Sequence, residues 1–542
     1  MKKGSFDIKA KNRRKKIRAF LQGITLIIIA IIIIRALFSF RTYAAYDKLN
    51  IPASSEKGFI TVSYSGIDRT GTNSIISADI LNKQLGALKK NGYVTINQQD
   101  IIDYYQGIKK LPEKSLFLIF EDGRRDTAIF AQKLMEKYNY KGTILSYGNN
   151  ITGKDSKFLK GSDLNELEKS TFWETGTNGW RLSYINVFDD EGKYFGVLSP
   201  TEFSKVTTEV NRDYNHYLMD FIRDEYRIPM ESYADLQERI NSDYEKIRNV
   251  YGKETGKVPA LYCLMHSNTG SFGTNEKASL INEKSIKDMF LMNFNREGTA
   301  LNSRDDSIYN LTRIQPKPYW TVNHLLMKIY EDTFEKVEFE VGDTEKAAGF
   351  ELMEGAAQYY GDTIALTSMP KGQGRLRVKN EEPYDKIHIA VNLQGNTEGS
   401  QGLYFQRGDS EEGILVEVTN NHLRITDGEN EFFNEDIGSY YEMNSSVKHL
   451  DIYLDNEKLK VLLEGKPVIE ELDRGFARIE KIYLHSYSEG YDSIYDGIFK
   501  NLVIDDQAGK VIIDNNLKGL EKLENHVKNA FNRTVNWFIK NF

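Results

Sequence analysis

From residue 19 to residue 40 the chain is apolar except for Gln22, Thr25, Arg35 and Ser39. About 20 such residues in a helix reach across a bilayer core, so the pattern predicts one transmembrane helix over residues 19–40. Arg35 sits near the far end, where its long stem can carry the guanidinium to the interface. Beyond a linker over 41–57, apolar runs such as Phe59-Ile60-Thr61-Val62-Ser63-Tyr64 and Ser115-Leu116-Phe117-Leu118-Ile119-Phe120 alternate with helical periodicities. Ile80, Leu81, Leu85 and Leu88 recur at helical spacing within residues 78–91, which Asn91-Gly92 closes, and residues 126–138 and 233–251 read as further helices. Strands separated by crossover helices predict an α/β domain, a parallel sheet or barrel, over residues 58–335.

Near residue 335 the helical period gives way to strict alternation, with Ile387, Ile389, Val391 and Leu393 on one strand, Leu450, Ile452 and Leu454 on another, and Leu459, Val461 and Leu463 on a third. Turns such as Asp455-Asn456-Glu457 and Glu464-Gly465-Lys466 fall between them, which predicts an all-β sandwich over 336–505. Within 506–542, Leu517, Leu520, Leu523, Val527, Phe531, Val535, Phe538 and Phe542 form one stripe of an amphipathic helix. That helix docks on its own protein or, with Lys528, Arg533, Trp537 and Lys540, on a membrane surface or partner. No long segment repeats at a fixed period, which disfavours a solenoid.

Charge gives the predicted span a direction. Residues 1–18 carry Lys2, Lys3, Lys9, Lys11, Arg13, Arg14, Lys15, Lys16 and Arg18 against the single acid Asp7, a basic cytoplasmic tail. The positive-inside rule then predicts a single-pass protein of the cell membrane with its bulk extracytoplasmic. The competing reading is a cleaved signal peptide, for which Thr42-Tyr43-Ala44-Ala45 offers small residues. With 40% hydrophobic and 27% charged residues the remainder is a folded ectodomain rather than a stalk. The net charge of −7 includes the basic tail, so the outer part is more acidic still, which argues against a nucleic-acid partner. The lone Cys263 can form no internal disulfide, a usage that suits a bacterial surface.

The chemistry concentrates where an apolar strand runs into Phe120-Glu121-Asp122-Gly123. Together with Lys89-Lys90-Asn91-Gly92-Tyr93, Asp100-Ile101-Ile102-Asp103-Tyr104-Tyr105, Leu111-Pro112, Tyr140-Lys141-Gly142-Thr143-Ile144-Leu145 and Trp173-Glu174-Thr175-Gly176-Thr177-Asn178, this stretch resembles the polysaccharide deacetylase family of metal-dependent carbohydrate esterases. The resemblance covers roughly half of the chain and implies a distorted β/α barrel with Glu121 at the general-base position and Asp122 at a metal-ligand position. Adjacent carboxylates at a strand end suit that division of labour, since one can bind a cation while the other takes a proton from water. Taken alone, Glu121-Asp122-Gly123 also reads as a polar exit from a strand. The family's His-x-x-x-His pair is replaced here by Asn178 and Leu182, and its early Tyr-His by Tyr64-Ser65. An amide is a weak ligand and Leu is none, so the resemblance implies a metal site reduced to Asp122 and no resident cofactor.

Candidate glycan contacts are Trp173, Trp180, Arg181, His266 and Trp320, with Tyr319, because aromatic faces stack on sugars, although burial is the commoner fate of Trp. His266 opens a polar loop after the apolar Leu261-Tyr262-Cys263-Leu264, as in the family's later barrel strand. His449-Leu450-Asp451-Ile452-Tyr453-Leu454 and Tyr495-Asp496-Gly497-Ile498-Phe499 resemble concanavalin-like jelly rolls, where a sugar platform would fall to Tyr404, Tyr440 or Tyr487. The expected function is a membrane-anchored pseudoenzyme of surface exopolysaccharide biosynthesis or modification that binds or guides polysaccharide, with a membrane glycosyltransferase or synthase complex as a further partner. Two alternatives stay open. One is an active polysaccharide N-deacetylase with an altered site, which needs a divalent metal such as zinc; the other is an adhesion or scaffold protein without a glycan role.

Overall fold

The computed structural model describes residues 8–37, 45–48, 51–519, 521, 522, 527 and 530, leaving out 208–209, 211–213, 270–273, 296–297, 396–398, 409–412, 420–421, 438–446, 456–457, 474–477, 489 and 491–492. Two compact units result, Met1–Asp47 and Lys48–Phe542. The first holds a 30-residue helix, Ile8–Leu37. Among the described residues no helix is long and apolar enough to cross a membrane. Residues 38–40 of the expected span, and the side chains from Ala30 onward, lie outside the described residues.

The second unit opens with an eight-stranded sheet. Its strands lie in the order Met292–Phe294, Leu261–Cys263, Trp173–Thr177, Gly142–Ser146, Ser115–Phe120, Phe59–Tyr64 and Leu301–Asn302, with Val94–Thr95 also paired to Ser115–Phe120. Every pairing is parallel except the last, Phe59 with Asn302. The strands Phe59–Tyr64 and Ser115–Phe120 are buried at all six positions, which is why they read as unbroken apolar runs rather than alternating ones. Crossover helices Ala78–Lys90, Arg125–Tyr138 and Tyr233–Glu254 cover the outside, the first and third started by serine caps, Ser77 and Ser232.

The sheet is an incomplete barrel whose seam is bridged by residues 311–314. Leu311 pairs in parallel with Phe294 on one side and Ile314 with Val62 on the other. Ser63 N–H donates to the Ile314 carbonyl at 2.9 Å and Ile314 N–H to the Thr61 carbonyl at 3.1 Å. This short extended segment carries Arg313 into the barrel.

Beyond the helix Val322–Thr333 the chain becomes all-β. A seven-stranded and an eight-stranded antiparallel sheet pack over one core that includes Leu376, Val391, Leu403, Val416, Ile452 and Leu484. The strand Lys386–Leu393 alternates buried and part-exposed positions along its length, the period that one-sided burial imposes. A last strand, Val511–Asp514, pairs with Asp496–Asp505, so the second sheet runs past residue 505 and residues 511–514 are strand where a helix-bearing tail was expected. The rest of the expected amphipathic stripe lies almost wholly outside the described residues.

The barrel and the sandwich share a buried polar junction. Asp496 accepts hydrogen bonds from Thr321 N–H at 3.0 Å, Thr321 Oγ1 at 3.1 Å and Thr367 Oγ1 at 2.7 Å, and lies 3.0 Å from His324 Nδ1. Burial would lift this carboxyl, but His324, Thr321 and Thr367 together hold it below its ordinary value.

Candidate functional site

The C-terminal ends of the parallel strands converge on one spot, the usual place for a site in such folds. Glu121 and Asp122 follow Ser115–Phe120, Tyr147 follows Gly142–Ser146, Asn178 follows Trp173–Thr177, and the Leu264–His266 stretch follows Leu261–Cys263. The first of these turns is tight. Asp122 has φ 69° and Gly123 φ 61°, and a Cβ at Gly123 would stand 2.4 Å from Ser146 Oγ, so only glycine fits there.

Glu121 is fully buried and fully engaged. Arg313 Nε donates to Oε1 at 2.8 Å and its Nη2 to Oε2 at 3.2 Å, while Ser63 Oγ at 2.5 Å and Gln315 Nε2 at 2.8 Å both donate to Oε1. Burial pushes this carboxyl up, but the Arg313 guanidinium, Ser63 and the nearby His266 bring it below its ordinary value. Arg313 is likewise buried, donating also to the Asn295 and Leu264 carbonyls. A carboxylate held by four donors, with no exposed surface, is a structural counter-ion more than a base with access to water.

Asp122 behaves differently. Its backbone N–H is tied down, but no hydrogen bond to its carboxylate occurs among the described residues. Burial lifts it to about 7; Arg124 pulls the other way, and Glu121 and Asp126 add to the rise. Shifted carboxyls of this kind mark candidate functional groups.

The two positions where imidazoles were sought are filled by structural side chains. Asn178 is fully buried; its Oδ1 accepts from Asp122 N–H at 3.0 Å and its Nδ2 donates to the Cys263 carbonyl at 2.9 Å, stitching the two strand ends together. Leu182 packs with Tyr184, Val187 and Phe203 in an apolar cluster. Among the described residues no group of three or more His, Cys, Asp or Glu side chains is placed to hold a metal ion. The side chain bonded to the Asp122 backbone is thus an amide with both ends in use, and Leu182 is turned into an apolar cluster, so neither position fits a transition metal well.

Two glycan candidates are redirected by the fold. Trp173 is 2% exposed, its ring edge-on to Phe120 and its Nε1 donating to Gln132 at 2.5 Å, so it is core and offers no face to a ligand. Trp320 stacks on His324 at 4.1 Å beside the Asp496 junction, where it supports the contact between barrel and sandwich. Trp180, Arg181 and His266 remain around the strand ends. Trp180 is half-buried against Gly148, whose added Cβ would meet the indole at 2.8 Å, and Arg181 is exposed with its guanidinium 4.9 Å from the Tyr217 ring centroid. His266 is exposed in the left-handed region at φ 55°, its ring 6.3 Å from that of Tyr184.

Several groups here escaped the sequence reading: Ser63, Tyr147, His216, Arg313 and Gln315. Tyr147 Oη and His216 Nε2 are buried without a hydrogen-bond partner among the described residues. Burial drives the tyrosine well above its ordinary value and, with His266 nearby, takes His216 down to about 3, so both are neutral donors or acceptors at pH 7. The one available signal was a charged residue between apolar Leu311 and Ile314, a pattern that marks an inward-facing cation only after the strand's neighbours are known.

No family model matches the chain. Over 195 residues, 35% of its length, the chain is 22% identical to the poly-beta-1,6-N-acetyl-D-glucosamine N-deacetylase of Escherichia coli strain K12, and it matches the protein so named in Escherichia coli O157:H7 to the same extent. This region is similar to polysaccharide deacetylases. The match spans 28% of the length of these curated relatives. Among solved structures, a de-N-acetylase from Aggregatibacter actinomycetemcomitans aligns over 48% of this chain and 96% of its own, with 20% identity and a TM-score of 0.36. A carbohydrate binding module from Bacillus subtilis aligns over 29% of this chain and 95% of its own, with 13% identity and a TM-score of 0.24.

Proposed function

We propose that this chain is a deacetylase-like glycan-binding protein of exopolysaccharide production, which holds an N-acetylhexosamine polymer at the barrel mouth without hydrolysing it. The observation that carries the reading is Asn178, whose amide is committed at both ends to Asp122 N–H and the Cys263 carbonyl. With Asp122 N–H on its Oδ1 the amide is at most a weak neutral ligand beside the Asp122 carboxylate, and the neighbouring Glu121 is neutralised by Arg313. Binding outlives such losses, because groove shape, ring faces and unmet polar groups need no metal. Trp180, half-buried, and His266, exposed, offer ring faces to a sugar at the strand ends. The second reading, an active deacetylase with an altered site, is favoured by one observation, the Asp122 carboxyl lifted to about 7.

The test is acetate release and calorimetric binding of β-1,6-linked N-acetylglucosamine oligomers by the purified full chain, with and without added zinc. Binding without acetate, weakened by Trp180→Ala and His266→Ala, supports the proposal. Acetate release that Asp122→Ala and chelator abolish replaces it with the active enzyme, and absence of both signals replaces it with a scaffold for a membrane synthase.

The anchor belongs to the same proposal, supported by the apolar run over 19–40 behind nine basic residues. External protease on intact cells should remove everything beyond about residue 42 and spare the basic tail; protection of the sandwich would sink the topology.

A further inference from the structure

The charges around the strand ends pair off one with another, and a single carboxylate is left over. Glu121 carries Arg313 at 2.8 Å with both side chains fully buried, so that pair is neutral and closed to ligands. Arg124 is fixed on Asp126, its Nε donating to Oδ1 at 3.0 Å and its Nη2 to Oδ2 at 2.6 Å, a two-pronged contact that sets one charge against the other. Arg124, Glu121 and Asp126 are the charged groups that act on Asp122. With two of them in pairs of their own, the Asp122 carboxylate carries the net charge of this corner. Asp68, beside Arg124, adds to the negative side, its Oδ1 turned to the N–H groups of Thr70 and Gly71.

Unlike Glu121, Asp122 is open. It keeps part of its surface, and no hydrogen bond to its carboxylate occurs among the described residues. Its backbone N–H is bonded at 3.0 Å to Asn178 Oδ1, on the strand end that continues through Gly179 into Trp180. Trp180 is held there in turn, its carbonyl accepting from Asn149 N–H at 2.9 Å. An anion and a ring face are thereby built onto one strand end.

A partly buried carboxylate without a counter-ion favours a cation, because the low dielectric that makes the unmet charge costly also strengthens its attraction. A transition metal needs further strong ligands, which Asn178 and Leu182 do not supply. An ammonium needs one carboxylate and can turn its remaining N–H groups to water or sugar oxygens. Resting on the glycan-binding reading above, we infer that the sugar held against Asp122 is a hexosamine with a free amino group, so the mouth prefers de-N-acetylated stretches of the polymer to acetylated ones. N-acetylation removes the positive charge and leaves a single neutral N–H in its place.

The test titrates β-1,6-linked hexamers of glucosamine and of N-acetylglucosamine calorimetrically into the full chain at pH 7, beside Asp122→Asn and Glu429→Gln. Glu429 is exposed in a turn of the sandwich, so its loss lowers the overall acidity by the same charge without touching the mouth. The glucosamine hexamer should bind the parent about tenfold tighter than the acetylated one, as a hydrogen bond between two charged groups outdoes a neutral one. Asp122→Asn should bring the two hexamers within about twofold, while Glu429→Gln keeps the preference. A preference that survives Asp122→Asn, or that falls equally in Glu429→Gln, is the general attraction of a polycation to an acidic chain and overturns the inference. Equal or tighter binding of the acetylated hexamer also overturns it and leaves the glycan-binding reading standing. Binding of neither hexamer overturns both.

Discussion

Replacing Arg313 with methionine strands the Glu121 carboxylate inside the barrel. The substitution removes the 2.8 Å and 3.2 Å bonds to Glu121 and leaves only Ser63 and Gln315 to meet a charge with no exposed surface. Breaking one half of a buried pair costs about 3–5 kcal/mol. For a lobe of this size each kcal/mol lowers the melting temperature by about 2 °C, so Arg313→Met should melt about 6–10 °C below the parent. Glu121→Gln should cost a similar amount by leaving the guanidinium unpaired. The double variant keeps a neutral amide that Ser63 and Gln315 still serve, and it should recover most of the loss. The pH dependence has a definite sign. With Arg313 present the folded Glu121 carboxyl lies below its ordinary value, so its contribution is present above the unfolded value and disappears as pH falls through the folded one. Without Arg313, burial takes over and raises the carboxyl, so the variant is stabilised below the unfolded value near about 4.3 and loses that as pH rises. The gap between parent and Arg313→Met should therefore be wide at pH 8 and narrow toward pH 4. Scanning calorimetry of the four proteins across that range decides the matter. Single variants within about 2 °C of the parent, a gap indifferent to pH, or losses that simply add in the double variant would refute the pairing.

Asp122→Asn should flatten a different pH window: the folded carboxyl sits at about 7 against an ordinary 3.8, so the parent loses stability as pH rises through 7 while the variant does not, and the variant should melt higher at pH 8. Asn178→Ala leaves the Asp122 N–H and the Cys263 carbonyl unpaired in a buried site and should cost about 2–4 kcal/mol in denaturant unfolding, whereas an unchanged midpoint would mean the amide is no strut. Asp496→Ala frees Thr321, His324 and Thr367 from their shared acceptor, so the calorimetric trace should divide into separate barrel and sandwich transitions; a single undisplaced peak would show that the junction couples nothing.

Local periodicity carried much of the architecture. The all-apolar runs at Phe59–Tyr64 and Ser115–Phe120 are buried strands of a parallel sheet, the periodic segment after Ser77 is the helix Ala78–Lys90, and the alternation at Lys386–Leu393 is a one-sided sandwich strand, because burial on two faces, one stripe or one face writes itself into spacing of 1, 3.6 or 2. The chain also disclosed two absences that bear on chemistry: at Asn178 and Leu182 no imidazole exists, wherever those residues lie in space.

What those side chains do instead was decided by tertiary structure. Asn178 became a strut because the ends of strands 85 residues apart in sequence come within reach of one amide. Glu121 became a counter-ion because a short segment 192 residues downstream closes the barrel seam and delivers Arg313 to it. Trp173, eligible by type for a sugar platform, went into the core because its strand is flanked on both sides. Helix and strand patterns are set by neighbours a few positions away and are legible in sequence. Ion pairs, struts and sheet faces depend on which distant segments pair and in what register, and that is fixed only when the whole core packs.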